Sequence, residues 1–296
     1  MRIVVYKMYA RAVALLRHLG SLIPRLRRCS WRRSSNRTEP VVRVLWAGRQ
    51  GALVRLLSER LQRDLGVTIV LDEARRSYWL RVSYTPSTSV HKVLRFLEIM
   101  YDEYKKYPNG YFVRARSAQL VLAEEIHVRG DPRSAFPDAR HGRLVFSVCD
   151  VNQPFVESYI VHVLHHELQH NAEYARWSRF YYKWADWSDL NPPGFEYVAE
   201  GDQRRRDDLL HPSLLPGDPI RGFASRYATV SEEEDRAETI AALMSDHERP
   251  VLTLLCRRDM VLRRKVETML NFVATLSGVG ESEGYWGKVK AEVLRS

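Results

Sequence analysis

Residues His166-Glu167-Leu168-Gln169-His170 form an H-E-x-x-H run, and no other feature constrains this chain as strongly. On a helix, positions four apart lie about 40° apart around the axis and about 6 Å apart along it. His166 and His170 therefore project from one face and can grip a single tetrahedral metal ion. Glu167 is turned by about 100° from His166. It can flank the metal without ligating it, where a general base for a water molecule belongs.

The surroundings of the run favour a helix. From about Pro154 to Ala175, Val161, Leu164 and Leu168 form an apolar stripe at helical spacing. His162, His166 and His170 form a second stripe at i, i+4 and i+8. The two stripes read as a buried face and a ligand face. The bland alternative is a solvated histidine face on an ordinary amphipathic helix. That is the expected state of His162 and His165, which complete no second motif.

The chain has 296 residues, enough for one large domain or two smaller ones with a substantial core. Its net charge of +10 is unevenly placed. Ten of the 46 Lys and Arg lie in residues 1–38, and the first acidic residue is Glu39. Beyond that segment, 36 basic residues face 36 acidic ones. The body is electrostatically balanced, which gives no support to nucleic-acid binding. The expected organisation is thus a basic extension over 1–38 and a single domain over 39–296.

The extension is Arg-rich and acid-free, with an apolar-basic stretch from Ile3 to Leu26 and a Ser-containing tail from Cys29 to Asn36. This composition suits a mitochondrial transit peptide of an intracellular protein, and equally a basic tail. Arg11 and Arg17 interrupt any secretory apolar core. No run approaches 18 consecutive apolar residues, so no membrane span is expected. Cys29, Cys149 and Cys256 are widely spaced and odd in number, so no disulfide framework or C-x-x-C metal site follows from them.

Along the body, Val41–Trp46 reads as a strand, Ala52–Leu65 as a helix capped by Gly66, and Val67–Leu71 as a strand. A further strand is expected around Tyr78–Tyr84, and a helix over Val90–Tyr107 ended by Pro108-Asn109-Gly110. Tyr111–Val128 reads as one or two strands and Leu144–Val148 as another. An exposed edge strand of that sheet could pair with an extended peptide. Residues 176–226 are irregular and aromatic-rich, and read mostly as a packed satellite core. Helices are expected over Glu232–Ser245 and Val251–Leu276, with Gly278-Val279-Gly280 breaking the pattern before a short last helix.

Catalytic zinc commonly takes three protein ligands and a water. The candidates for the third lie in Ser231-Glu232-Glu233-Glu234-Asp235-Arg236-Ala237-Glu238. Ser231 and Glu234 fit a capping box, and acids favour a helix N-terminus. That accounts for the first turn better than for Glu238, which sits a turn deeper. Glu234 and Glu238 are spaced i, i+4, so one could ligate while the other supports the site. Spacing does not choose among Glu232, Glu233 and Glu234, and Glu233 points toward the apolar side.

The stretch Gly222-Phe223-Ala224-Ser225-Arg226-Tyr227, followed by Glu234-Asp235-Arg236-Ala237-Glu238, resembles the second half of a family of zinc-binding metallopeptidases. That family is of the gluzincin type and similar to the catalytic domain of anthrax lethal factor. Its pattern is a Tyr seven residues before a ligand Glu, then an Ala and a second Glu four residues after the ligand. Tyr227, Glu234, Ala237 and Glu238 match it position by position. The Asn-Pro-Pro-Gly-Phe block at 191–195 also resembles a family segment, and the likeness covers roughly residues 90–250. The chain departs from the pattern at Leu168-Gln169, where many relatives carry an aromatic and Gly, and at Arg236, where many carry an aromatic.

The resemblance implies an α+β fold, a zincin-like metallopeptidase domain with a mixed sheet, an H-E-x-x-H active-site helix and a C-terminal helical part. It implies Glu234 as third ligand beside His166 and His170, Glu238 as support behind the ligands, and Tyr227 as hydrogen-bond donor to the oxyanion. The expected function is zinc-dependent peptide-bond hydrolysis with one Zn2+ per chain and Glu167 as general base, acting on peptide or protein substrates. The rival reading is a non-catalytic zinc-binding or partner-binding protein on the same fold. The intact Glu167 and Tyr227 speak against it.

Overall fold

A computed structural model describes residues 48–77, 81–153, 156–198, 220–280 and 284–294. The basic extension over 1–38 and the strand expected at 41–46 lie outside the described residues. In chain order the strands are β1 (Thr68–Val70), β2 (Arg75–Ser77), β3 (Val82–Pro86), β4 (Gln119–Val128), β5 (Asp131–Arg133), β6 (Ala135–Asp138) and β7 (Arg143–Ser147). The helices are α1 (Arg49–Leu65), α2 (Val90–Tyr104), α3 (Tyr111–Arg114), α4 (Glu157–Trp177), α5 (Ala185–Ser188), α6 (Glu232–Met244), α7 (Arg249–Cys256), α8 (Met260–Ser277) and α9 (Gly284–Leu294).

Strand β4 organises the sheet. Its first half runs parallel to both β1 and β7, and its second half runs antiparallel to β3 and β5. Strands β2 and β6 add antiparallel partners beyond β3 and β7. The sheet is therefore mixed, and the fold is α+β with a helical C-terminal part. The two-residue period of a strand separates its faces. Leu120 and Leu122 join Leu144 and Phe146 in the main core beneath the helices, while Val121 and Ala123 join Val145 in a second cluster on the other face.

Helix α4 lies against the sheet and is tied to it by polar contacts as well as packing. Asn171 Nδ2 donates to Arg116 O (3.1 Å), Ser117 Oγ (3.0 Å) and Arg143 O (2.9 Å). From α2, Tyr104 donates to Leu164 O (3.2 Å). Helix α6 packs along α4, and α7, α8 and α9 close behind it. Among the described residues no helix is long and apolar enough to cross a membrane.

Three local expectations change. Tyr111–Arg114 is a helical turn rather than the start of a strand. Gly110 enters it in the left-handed region (φ 77°), and the Phe112 and Tyr111 rings pack 4.7 and 4.8 Å from Tyr104 and Tyr107. Burial of these rings overrides their strand preference. The strand placed around Tyr78–Tyr84 begins only at Val82, and residues 78–80 lie outside the described residues. The long helix over Val251–Leu276 is two helices, because Asp259 caps α8 by accepting from Val261 N (3.0 Å) and Leu262 N (3.2 Å).

Candidate metal centre

Helix geometry brings His166 and His170 together as their spacing requires, with their Nε2 atoms 3.0 Å apart. Glu234, from the first turn of α6, adds Oε2 at 3.1 Å from His166 Nε2 and 3.6 Å from His170 Nε2. A tetrahedral zinc with bonds of about 2.0–2.1 Å holds its ligand atoms about 3.3 Å apart. The observed triangle brackets that value.

The polar surroundings make this triangle a group that could hold a cation. Nδ1 of His166 faces Glu238 Oε1 at 2.9 Å, and Nδ1 of His170 faces Glu233 Oε1 at 3.3 Å. Neither Nδ1 makes a directed hydrogen bond there, so each carboxylate acts on its ring as a nearby negative charge. The two Nε2 atoms converge with Glu234 Oε2, a buried oxygen that accepts no hydrogen bond. Acceptors crowded in this way are unstable unless a cation lies between them. In the metal-free state protons take that role. Burial pulls His166 down, but Glu234 and Glu238 outweigh it and raise the ring to about 9. Burial opposes ionisation of Glu234 as well, yet His166 and His170 hold its carboxyl well below the ordinary range.

The acidic turn is held residue by residue. Ser231 Oγ accepts from Glu234 N (3.2 Å), so half of the expected capping box forms while the Glu234 side chain faces the histidines. Glu232 accepts from Ser188 Oγ (2.7 Å) and Trp184 N (3.0 Å), and Glu233 from Tyr181 N (3.0 Å). Asp235 accepts from Lys265 Nζ (2.7 Å), Tyr197 OH (2.8 Å) and Trp187 Nε1 (3.0 Å). The aromatic stretch up to residue 198 is thus a brace around the start of α6, and residues 199–219 lie outside the described residues.

Glu167 lines a cleft of about 140 Å³ together with His162, His166, Tyr227 and Glu238. Its Oε2 is buried without a hydrogen-bond partner. Burial raises its pKa, the neighbouring Glu234 and Glu233 add to the rise, and His170 and His166 oppose it. Tyr227 sits in a 3-10 turn over Tyr227–Thr229, its ring centroid 6.2 Å from that of His166.

Two expectations on α4 are overturned. His162 and His165 are not solvated: they are 5% and 0% exposed. His165 is a core residue, with Nδ1 at 2.9 Å from Tyr107 OH and Nε2 at 2.8 Å from Glu103. His162 places Nε2 2.9 Å from Glu238 Oε1 and Nδ1 2.9 Å from Glu248 Oε2. The apolar and histidine stripes are both buried, one against the sheet side and one against α6. Glu233, read as facing the apolar side, instead backs His170. No local signal marks Glu233 or Glu248, because their partners lie far away in sequence.

His162, His166 and Glu238 form a second group close enough to hold an ion. Its carboxylate is already satisfied: Oε1 pairs with His162 Nε2 and Oε2 accepts from Ser225 Oγ (2.5 Å). The unsatisfied Glu234 oxygen makes His166/His170/Glu234 the better fit for zinc.

No protein-family model matches the chain, and no curated protein matches it. Among solved structures, the crystal structure of a "putative zinc-binding metallo-peptidase" from Bacteroides caccae ATCC 43185 is similar, with a TM-score of 0.47 and 16% identity. The similarity spans 82% of this chain and 92% of that one. A likeness this remote assigns no function here.

Proposed function

We propose that the chain is a zinc-dependent peptidase with His166, His170 and Glu234 as metal ligands. The observation that carries this reading is the convergence of the His166 and His170 Nε2 atoms on the unsatisfied Glu234 Oε2, beside a cleft that holds Glu167. Zinc in such a donor set is a Lewis acid that lowers the pKa of water toward neutrality and polarises a carbonyl. Glu167 takes the proton of the attacking water and passes it to the leaving amine. Its buried position raises its basicity for the first transfer without a competing hydrogen bond at Oε2. Tyr227 donates to the carbonyl oxygen as negative charge develops. Glu238 and Glu233 place negative charge beside the Nδ1 atoms of the two ligand imidazoles, which favours a proton on that side of each ring.

Strand β6 is the edge that borders the cleft, since Ser134 and Ala135 line it. Ser147 N donates to Ser134 O (2.8 Å), so alternation turns Ala135 and Pro137 outward. Ala135 therefore presents its N–H and C=O to an extended peptide, and Pro137 falls where its missing N–H breaks no ladder bond. Residues 1–38 are proposed as a separate basic extension, and N-terminal sequencing of the mature protein separates a cleaved targeting segment from a retained tail.

Elemental analysis of the purified full-length chain tests the metal, and a peptide library tests the chemistry. About one zinc per chain, with cleavage removed by a chelator and restored by zinc, is the expected result. No zinc after reconstitution overturns the site. Zinc without cleavage of any peptide makes the chain a binding protein.

A further inference from the structure

Helix α1 packs one face against α2 and β1 through the buried side chains of Val54, Leu61 and Leu65. On its far side, at about 100° per residue, Arg49, Leu53, Leu56, Arg60 and Arg63 fall within an arc of about 80°. All five are exposed, Leu53 by 39% and Leu56 by 46%. The outer face of an amphipathic helix ordinarily carries polar residues, and an isolated exposed leucine needs no explanation. Two leucines one turn apart, bracketed by arginines, form a continuous basic and apolar stripe, which is the pattern of a helix that lies on another surface.

Charge selects the occupant. On α1, Arg49, Arg55, Arg60 and Arg63 outnumber Glu59 and Asp64. Asp64 is held by Arg63 Nε (2.8 Å) and Tyr101 OH (3.0 Å), and Glu59 stands about 80° off the centre of the stripe. Upstream, residues 1–38 add ten Lys and Arg and no acid. That segment has the same sign as the stripe and is repelled by it, and a second copy would set the same arginines against one another. A nucleic acid would answer the arginines with phosphate but leave both leucines against charge. An anionic bilayer answers both kinds of residue. Its headgroup phosphates meet the guanidinium groups, and its acyl boundary takes the leucines. Arginine suits such a boundary, because its stem lies along apolar material while its head stays at the water.

We infer that the exposed stripe of α1 seats this protein on an anionic membrane surface, with the helix lying in the headgroup plane and Leu53 and Leu56 inserted below it. The contact is peripheral, in keeping with described helices of which none is long and apolar enough to cross a bilayer. It depends neither on the metal nor on the peptidase reading.

The test is flotation of the purified full-length chain with lipid vesicles, of phosphatidylcholine alone or with about a third phosphatidylserine. The chain should bind the mixed vesicles, ignore the neutral ones, and be released when salt rises from about 0.1 M to about 1 M, which shortens electrostatic reach about three-fold. Arg49→Gln with Arg60→Gln should weaken partitioning about 20–30-fold, at about five-fold per arginine near a charged surface. Leu53→Gln with Leu56→Gln should weaken it about ten-fold by removing the inserted area. These positions are exposed, circular dichroism reports whether each variant has folded, and either pair carries the test if the other fails to fold. Binding to mixed vesicles that neither pair weakens resides in residues 1–38 and overturns the stripe as the contact. Equal binding to neutral vesicles overturns the anionic surface. No binding to any vesicle overturns the inference and turns the stripe over to an acidic protein partner.

Discussion

Arg236 closes a bidentate pair on Glu173, with Nε at 2.8 Å from Oε1 and Nη2 at 2.7 Å from Oε2, and both residues are fully buried. Arg236 is two positions beyond Glu234 and Glu173 three beyond His170, so the pair locks together the two helices that carry the proposed ligands. Gln169 Nε2 also donates to Glu173 Oε1, at 3.0 Å. Gln169 and Arg236 are two of the positions where the chain departs from the family pattern it resembles. They meet on one carboxylate.

Removing either partner of this pair leaves a buried charge without its counter-ion. Arg236→Met or Glu173→Leu should each cost about 3–5 kcal/mol in stability, whereas the double variant should come close to the parent. Urea unfolding of the three variants measures this. Single losses that simply add in the double variant would show that the lock is not a coupled pair.

Glu167→Gln should keep its zinc and lose about 100-fold or more in kcat, the contribution of a positioned general base. Glu234→Ala should lose zinc itself, read by elemental analysis after dialysis. Substantial turnover in Glu167→Gln, or unchanged zinc retention in Glu234→Ala, would remove the corresponding assignment.

His162 touches no proposed ligand oxygen, yet its Nε2 holds Glu238 in place behind His166. His162→Ala should weaken zinc by about 10–100-fold, as loss of outer support does, while one zinc per chain is still bound at saturation. Competition with a chelator gives the affinity and elemental analysis the stoichiometry. Loss of a whole equivalent of metal would instead locate the ion in the His162, His166 and Glu238 group.

Zinc and protons compete for His166. Its metal-free pKa is raised to about 9, so the protonated ring stabilises the metal-free fold fully below its unfolded value of about 6.5. That contribution fades as pH rises through about 9. Zinc needs the deprotonated ring, so its affinity should climb across the same window. Melting curves with and without zinc should therefore separate further as pH increases from about 6.5 to about 9. A separation that is constant or shrinks over this range would exclude His166 as a ligand.

Part of this molecule is written locally. The i, i+4 spacing of His166 and His170 puts both rings on one side of any helix, and Ser231 starts the ligand-bearing helix by capping Glu234 N. Gly66 ends α1 in the left-handed region (φ 70°), as its place after an amphipathic run suggests. Such features depend on neighbours within a turn, where backbone geometry is the same in every protein.

The short-range pattern fails where distant partners decide. Asp259 reads as one residue inside a continuous apolar period, and becomes a break because its carboxylate caps α8 and also accepts from Gly222 N (2.5 Å). Tyr111 and Phe112 look like strand residues until the Tyr104 and Tyr107 rings bury them.

From sequence alone come the H-E-x-x-H run, an acidic helix start capped by Ser231 and the balanced charge of the body, because each is a matter of residue type and spacing. Only the tertiary structure decides that both stripes of α4 are buried between Ile160 and Glu173, that Glu233 rather than a neighbour backs His170, and that β6 is the edge beside the cleft. These depend on carboxylates brought in from more than 60 residues away, and on a strand entry that meets α4 across 25. A buried histidine takes its role from the group that folding places against each of its nitrogens.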